Sequence, residues 1–194
     1  MSISYPLALP SHTGVMSVEM TAINAVAYSR SPFTFAGQAH AYSGQSWQAD
    51  ISLPAMKRAD AEQWIAFLIS LRGQFGTFLL GDPAATSPRG STATVNITGS
   101  TGDSSVATTM TGTLLAGDYI QLGTGSGARL HKVLQDQDGS GTLEIWPALR
   151  ADQSNSSATL TNPVGEFRLS SNQQSWSVNE ASIYGITFGA MEAL

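Results

Sequence analysis

Ser46-Trp-Gln-Ala-Asp-Ile-Ser-Leu53 alternates strictly, with Trp47, Ala49, Ile51 and Leu53 apolar and Ser46, Gln48, Asp50 and Ser52 polar. A period of two over eight residues is the signature of a strand buried on one side and wet on the other. Upstream, Met16, Val18 and Met20 share one face of residues 15–20, with Val15 on the opposite one. Phe33-Thr-Phe-Ala36 and Ala39-His-Ala-Tyr42 flank Gly37-Gln38, and Ser43-Gly-Gln45 leads into the Trp47 segment. Together these predict a meander of antiparallel strands.

Pro54 ends the Trp47 strand, and the period then lengthens. Between Arg58 and Arg72, Ala61, Trp64, Ile65, Leu68 and Leu71 fall on one helical face, which Phe67 and Ile69 widen. Asp60 and Glu62 stand in the first turn, Arg72 in the last, and Gly73 follows where a left-handed residue ends a helix. One long helix over 58–72 is therefore predicted. Phe75-Gly-Thr-Phe-Leu-Leu80 then reads as a buried strand that stops at Gly81-Asp-Pro83.

From Ala84 to about Met110 the chain turns to Thr, Ser, Gly and Ala, which predicts weak strands and loops. Clearer strand signals return at 118–122, 129–134 and 142–146, joined by Gly-rich turns, and together have the size of a small barrel. Residues 151–163 read as a polar connection, and strands resume at 166–169, 175–178 and 183–191, where Tyr184, Ile186, Phe188 and Ala190 face one way. Gln45-Ser-Trp-Gln-Ala-Asp50 is echoed by Gln174-Ser-Trp-Ser-Val-Asn179. The echo is either strand grammar alone or two strands in matching places of a two-part sandwich. The expected fold is mainly β: an antiparallel β-sandwich or split barrel with one α-helix, formed by residues 1–88 and 164–194. A small β-barrel-like module, residues 89–163, is inserted into it.

Composition removes several functions. The 194 residues include no cysteine, so disulfides, thiolate metal sites and cysteine nucleophiles are excluded. Nine basic against 14 acidic side chains give a net charge of −5, and two lysines with seven scattered arginines make no patch able to neutralise a phosphate backbone. Specific nucleic-acid binding is not expected. Met1-Ser-Ile-Ser-Tyr-Pro6 lacks the basic and apolar regions of a secretory signal, and no run of about 18 apolar residues occurs, so a soluble chain without membrane insertion is expected. Charged residues are only 12%, whereas 25 serines, 18 threonines and 19 glycines supply about a third of the chain. Surface polarity is carried mostly by hydroxyls and backbone.

Motifs for chemistry are scarce. Gly123-Thr-Gly-Ser-Gly127 resembles a phosphate loop, but a strand-like segment rather than a helix follows it, so it reads as a turn. Asp136-Gln-Asp-Gly-Ser-Gly141 has the outline of a calcium loop, yet Pro147 stands where the bidentate Glu is needed, so it reads as a hairpin tip. His12, His40 and His131 are far apart, and no Gly-x-Ser-x-Gly elbow surrounds any serine. Asp50, Glu144 and Glu180 read as solvated carboxylates rather than a glycosidase pair. No enzyme, metal or cofactor is expected. Trp146 breaks pattern by pointing with Glu144, opposite Leu143 and Ile145; with Tyr119 it is a candidate for stacking on a sugar or a neighbouring subunit.

Two stretches resemble a known family. They are Leu53-Pro-Ala-Met-Lys-Arg-Ala-Asp-Ala-Glu-Gln-Trp-Ile-Ala-Phe-Leu68 with Leu71-Arg-Gly-Gln-Phe-Gly-Thr-Phe-Leu-Leu-Gly-Asp-Pro83, and Trp176-Ser-Val-Asn-Glu-Ala-Ser-Ile-Tyr-Gly-Ile-Thr-Phe188. Both are similar to distal tail proteins of long-tailed bacteriophages. The resemblance covers roughly residues 15–83 and 164–194, and more loosely 114–150. It implies a virion protein made in the bacterial cytoplasm, whose β-rich belt domain forms a homohexameric ring at the tail tip through which DNA passes. The tail tube, the baseplate hub and fibre proteins would be its partners. The alternative from another class is a carbohydrate-binding module of a tail or cell-surface protein, with Trp146 and Tyr119 as its platforms.

Overall fold

The computed structural model describes residues 3–11 and 17–194, so His12, Val15 and Met16 lie outside the described residues. Trp47, Ala49 and Ile51 are buried while Asp50 and Ser52 are exposed, as their alternation predicts. The strand carrying them is far longer than its apolar stretch. Strand β1 (Ser17–Arg30) pairs antiparallel with β2 (Gly37–Ser52), from Ser17 opposite Ser52 to Arg30 opposite Gly37, with one irregularity between Asn24 and Val26. Only the base of this hairpin is covered: Thr21–Arg30 and Gly37–Gly44 are exposed throughout.

The predicted meander is thereby corrected. Gly37-Gln38 is not a turn, because Gly37 already pairs with Arg30, and residues 39–53 are not two strands. The chain reverses at Ser31–Ala36, where Pro32 stops β1, Phe35 takes a left-handed φ of 58°, and the Ser31 and Phe35 N–H groups close the turn on Ala36 and Ser31 carbonyls. Phe33 and Phe35 sit in that turn, not in a strand.

After Pro54, β3 (Met56–Lys57) leads into α1 (Arg58–Ser70). Ala61, Trp64, Ile65, Phe67 and Leu68 are buried along the face the spacing predicts, and Leu71 follows them inside. Ile69 points to solvent instead. The helix ends two residues earlier than expected, since Arg72 and Gly73 both turn left-handed, at φ 53° and 68°. Arg72 therefore lies past the last turn. Asn172 accepts the Gln74 N–H at 3.0 Å, tying the helix exit to the C-terminal part of the chain.

Strand β4 (Thr77–Leu80) completes this half. The chain then builds β5 (Val95–Gly99), β6 (Ser105–Met110), β7 (Thr113–Leu114), β8 (Tyr119–Leu122), β9 (Arg129–Val133), β10 (Gln137–Asp138), β11 (Gly141–Trp146) and β12 (Gln153–Ala158). Six of these form a sheet in the order β12-β5-β6-β11-β9-β8. Gln121 and Thr159 exchange two 2.9 Å backbone hydrogen bonds and nearly close it into a barrel. Val95, Ile97, Val106, Leu114, Ile120, Leu143 and Ile145 fill the interior. The Gly123–Gly127 run is a turn, with one 3-10 turn at Gly125–Gly127 ahead of β9. Residues 151–163 are more than a polar connection, since β12 pairs with β5; its exposed residues carry no apolar alternation to mark it.

Returning, β13 (Gly165–Leu169), β14 (Trp176–Val178) and β15 (Ile183–Glu192) rejoin the first half. The sheet runs β1-β2-β15-β13-β4, with β3 and β14 pairing the first residues of β15. β15 is thus the central strand. Trp47 on β2 and Trp176 on β14 lie on opposite sides of it in one sheet, so the echoed segments are not halves of a two-part sandwich. Trp64, Phe67, Phe78 and Phe188 form a chain of ring contacts between 5.6 and 6.2 Å that joins α1 to this sheet. At the β4 edge Leu7 exchanges backbone bonds with Thr77 and Leu79, covering that edge. Among the described residues nothing pairs with the outer edge of β1.

Candidate functional site

The alternation of β8, β9 and β11 sorts their side chains between two environments. Ile120, Leu122, Val133, Leu143 and Ile145 enter the barrel, whereas Tyr119, Leu130 and Trp146 pack with the core of the main sheet. Trp47 is the meeting point. Its ring lies 4.5 Å from Trp146 at right angles and 6.0 Å from Tyr119, and its indole N–H donates to the Leu130 carbonyl at 2.9 Å.

The two residues singled out from sequence therefore come together, at the joint between barrel and sheet. Tyr119 is 7% exposed and carries the Lys132 ammonium 4.1 Å above its ring, so it offers no open face for stacking. Trp146 is half-buried, and its indole N–H donates to Asn24 Oδ1 at 2.7 Å. The ring that breaks the barrel's pattern thus reaches the base of the β1–β2 hairpin. Polar groups complete the joint: Ala148 N–H donates to Gln45 Oε1, Arg150 donates to the Gln45 carbonyl and to Glu192, and Arg129 donates to Glu166. Glu192 also accepts the Trp47 N–H at 3.1 Å.

Beyond this joint the hairpin extends as an arm. Val26 and Tyr28 stand opposite Ala41 and Ala39 on one of its faces, while His40 and Tyr42 meet edge to face at 4.7 Å on the other. Ile23, Val26, Tyr28, Phe33, Phe35 and Tyr42 are all exposed, Phe33 to 92%. The arm carries one charged side chain beyond Glu19, Arg30, whose guanidinium sits 4.6 Å from the Phe35 ring centroid. The sequence did not mark the arm as a separate feature because neither of its faces is buried, which leaves no one-sided pattern. The signal available was the absence of Lys, Asp, Glu and Pro from residues 20–29 and 37–49, which is unusual for a strand left in water.

Among the described residues no three His, Asp or Glu side chains gather as a metal site requires, and no helix is long and apolar enough to cross a membrane. Asp50 lies on the exposed face of β2, and Glu144 on β11 turns away from the barrel interior. No family model and no curated protein matches this chain.

Proposed function

We propose that the protein is a structural, non-catalytic ring subunit of a phage tail tip, the distal tail component that joins tube to baseplate hub and fibres. The arm carries this reading. A two-stranded hairpin standing alone in water is marginal, and a long uncharged edge strand invites pairing with another chain. Among the described residues neither outer edge of the arm has a strand partner: that of β1 along its length, and that of β2 from Gly37 to Gly44, beyond which the Gln45 carbonyl takes Arg150, the Trp47 N–H takes Glu192, and β15 pairs Gln48–Ser52.

The β1 edge of one copy and the distal β2 edge of the next are different surfaces, so their pairing is head-to-tail. Head-to-tail contacts close into rings when the rotation per copy divides the circle. Exposed Val26, Tyr28 and Tyr42 would be covered in the same step. The copy number of six comes from the resemblance at residues 53–83 and 176–188, and the low charge of the arm suits a surface meant to be covered.

Light scattering across concentration, with negative-stain imaging, tests the reading. The expected species is a ring of six times the 20.4 kDa chain mass, with a central hole. Replacing residues 25–44 by an Asn-Gly turn leaves Asn24 opposite Gln45 and should give a folded monomer. A wild-type protein that stays monomeric at every concentration, alone and with purified tail tubes, overturns it.

A further inference from the structure

Pairing of the arm's edges leaves its end unexplained. Phe33 is 92% exposed and Phe35 65%, and both lie beyond the last rung of the hairpin, Arg30 opposite Gly37. Edge pairing would cover Val26, Tyr28 and Tyr42 but leave these two rings in water. Exposed rings gathered at one projecting point mark a contact with something apolar.

The polar groups of the turn narrow down what that is. Every N–H between Ser31 and Ala36 has an acceptor inside the turn. Ser31 donates to the Ala36 carbonyl and Phe35 to the Ser31 carbonyl, Phe33 and Thr34 both donate to Ser31 Oγ, and Ala36 donates to Thr34 Oγ1; Pro32 has no N–H to place. The Arg30 Nε–H fills the Phe35 carbonyl at 3.2 Å. A turn that docked on another protein's backbone would keep donors free for it, as the long edges of the arm do. A turn with its donors spent inside suits a medium that supplies no acceptors, where each unmet group is costly.

Charge points the same way. Arg30 is the only Lys, Arg, Asp or Glu between Met20 and Ala49. Its guanidinium carbon sits 4.6 Å from the Phe35 ring centroid, and its Nη groups have no protein partner among the described residues. The nearest acids along the hairpin, Glu19 and Asp50, face each other roughly 35 Å further back, at about 3.3 Å per residue. That is several screening lengths at physiological ionic strength, so these carboxylates are not felt at the tip and a cation stands there alone.

Two apolar rings, a turn without spare N–H groups and one isolated cation together describe a lipid surface of negative charge. We propose that the arm tip inserts into the headgroup and acyl boundary of an anionic bilayer, Phe33 and Phe35 on the apolar side and Arg30 on a lipid phosphate. Insertion is shallow, within the about 5 to 10 Å that interfacial segments reach. The turn lies outside the edges that pair, so the inference does not need the ring, and a ring would present several tips to one surface.

Sedimentation of the full-length protein with vesicles tests it. Vesicles of phosphatidylcholine and phosphatidylglycerol in equal parts should retain the wild type about tenfold more strongly than the Phe33→Ser, Phe35→Asn double variant. Both positions are exposed and Asn tolerates the φ of 58° at position 35, so the double variant should melt as the wild type does. Arg30→Gln should remove the preference for these vesicles over pure phosphatidylcholine. Lipids brominated on their acyl chains should quench the tryptophan added by Phe33→Trp and spare the four of the wild type. Equal retention of wild type and double variant overturns the proposal, as does a preference that survives Arg30→Gln or an added tryptophan that the bromines leave unquenched. Loss of tail-tube binding in the double variant, with no retention of the wild type by either vesicle, overturns it in favour of a protein socket.

Discussion

Arg150, on the segment that leaves β11, holds Glu192, at the end of β15, through two hydrogen bonds of 2.9 and 3.3 Å. The Glu192 side chain is 3% exposed and that of Arg150 18%, so the pair sits largely out of water where barrel meets sheet. Glu192→Ala strips Arg150 and the Trp47 N–H of their common acceptor. The loss should be about 3 kcal/mol, because what remains is a largely buried guanidinium with no counter-charge, held only by the Gln45 carbonyl, and a buried Trp47 amide with no acceptor. Urea unfolding measures it; a change within experimental error would mean that water replaces the carboxylate freely at the joint.

His131 makes stability fall on acidification. Its pKa is near 4 in the folded protein and 6.5 when unfolded, so between those values the unfolded chain holds a proton that the folded one refuses. Its contribution is complete above pH 6.5 and is lost as the pH drops toward 4, by roughly 3 kcal/mol. The charges facing the ring are Arg129 and Arg150, each already paired with a glutamate. Asp118 acts in a lower window: burial raises its pKa, but the Leu115 and Arg89 N–H groups and the Arg89 guanidinium outweigh that and hold it below 3.8, so its contribution goes only under that pH. Unfolding free energies of the wild type and His131→Gln should therefore converge between pH 6.5 and 4. A constant difference across that range would refute the assignment.

Leu68 is 1% exposed on the inner face of α1 and belongs to the same core as Trp64, Phe67 and Phe188. Leu68→Ala should cost about 2 to 5 kcal/mol, the range set by how far the helix settles into the space left behind. Thermal melts of the monomeric arm-deleted form give the cleanest reading, since assembly does not enter. An unchanged melting temperature would mean that α1 is not docked through this face.

What the sequence made legible is what is buried on one side. The Trp47 strand, the Ala61-Trp64-Leu68 face and the Tyr184-to-Ala190 alternation all appear where predicted, because each reports a single boundary between core and water. The arm and β12 broke no such boundary. Residues 21–30 are exposed on both faces, and Gln153–Ala158 is held mainly by its backbone ladder, so their side chains carry no period. The joint was half legible. Trp146 stood out because it opposed Leu143 and Ile145, but its meeting with Trp47, about a hundred positions earlier, follows from topology that no local pattern encodes. Arg129 on β9 and Arg150 beyond β11 both join the glutamates of the main sheet, yet nothing local announces that they do.

The order of strands along the chain also sets the order in which the molecule can be completed during translation. The barrel uses one unbroken stretch, from Val95 to Ala158, and all its strands have been synthesised before the first half of the main sheet has acquired its middle. β15 emerges last, and until it does the Gln48–Ser52 edge of β2 has no neighbour. A nascent chain therefore carries a finished barrel beside an open half-sheet. Release of Ile183–Glu192 closes the inner edge and leaves the arm as the part of the sheet without a neighbour among the described residues, so the barrel is complete well before the sheet is.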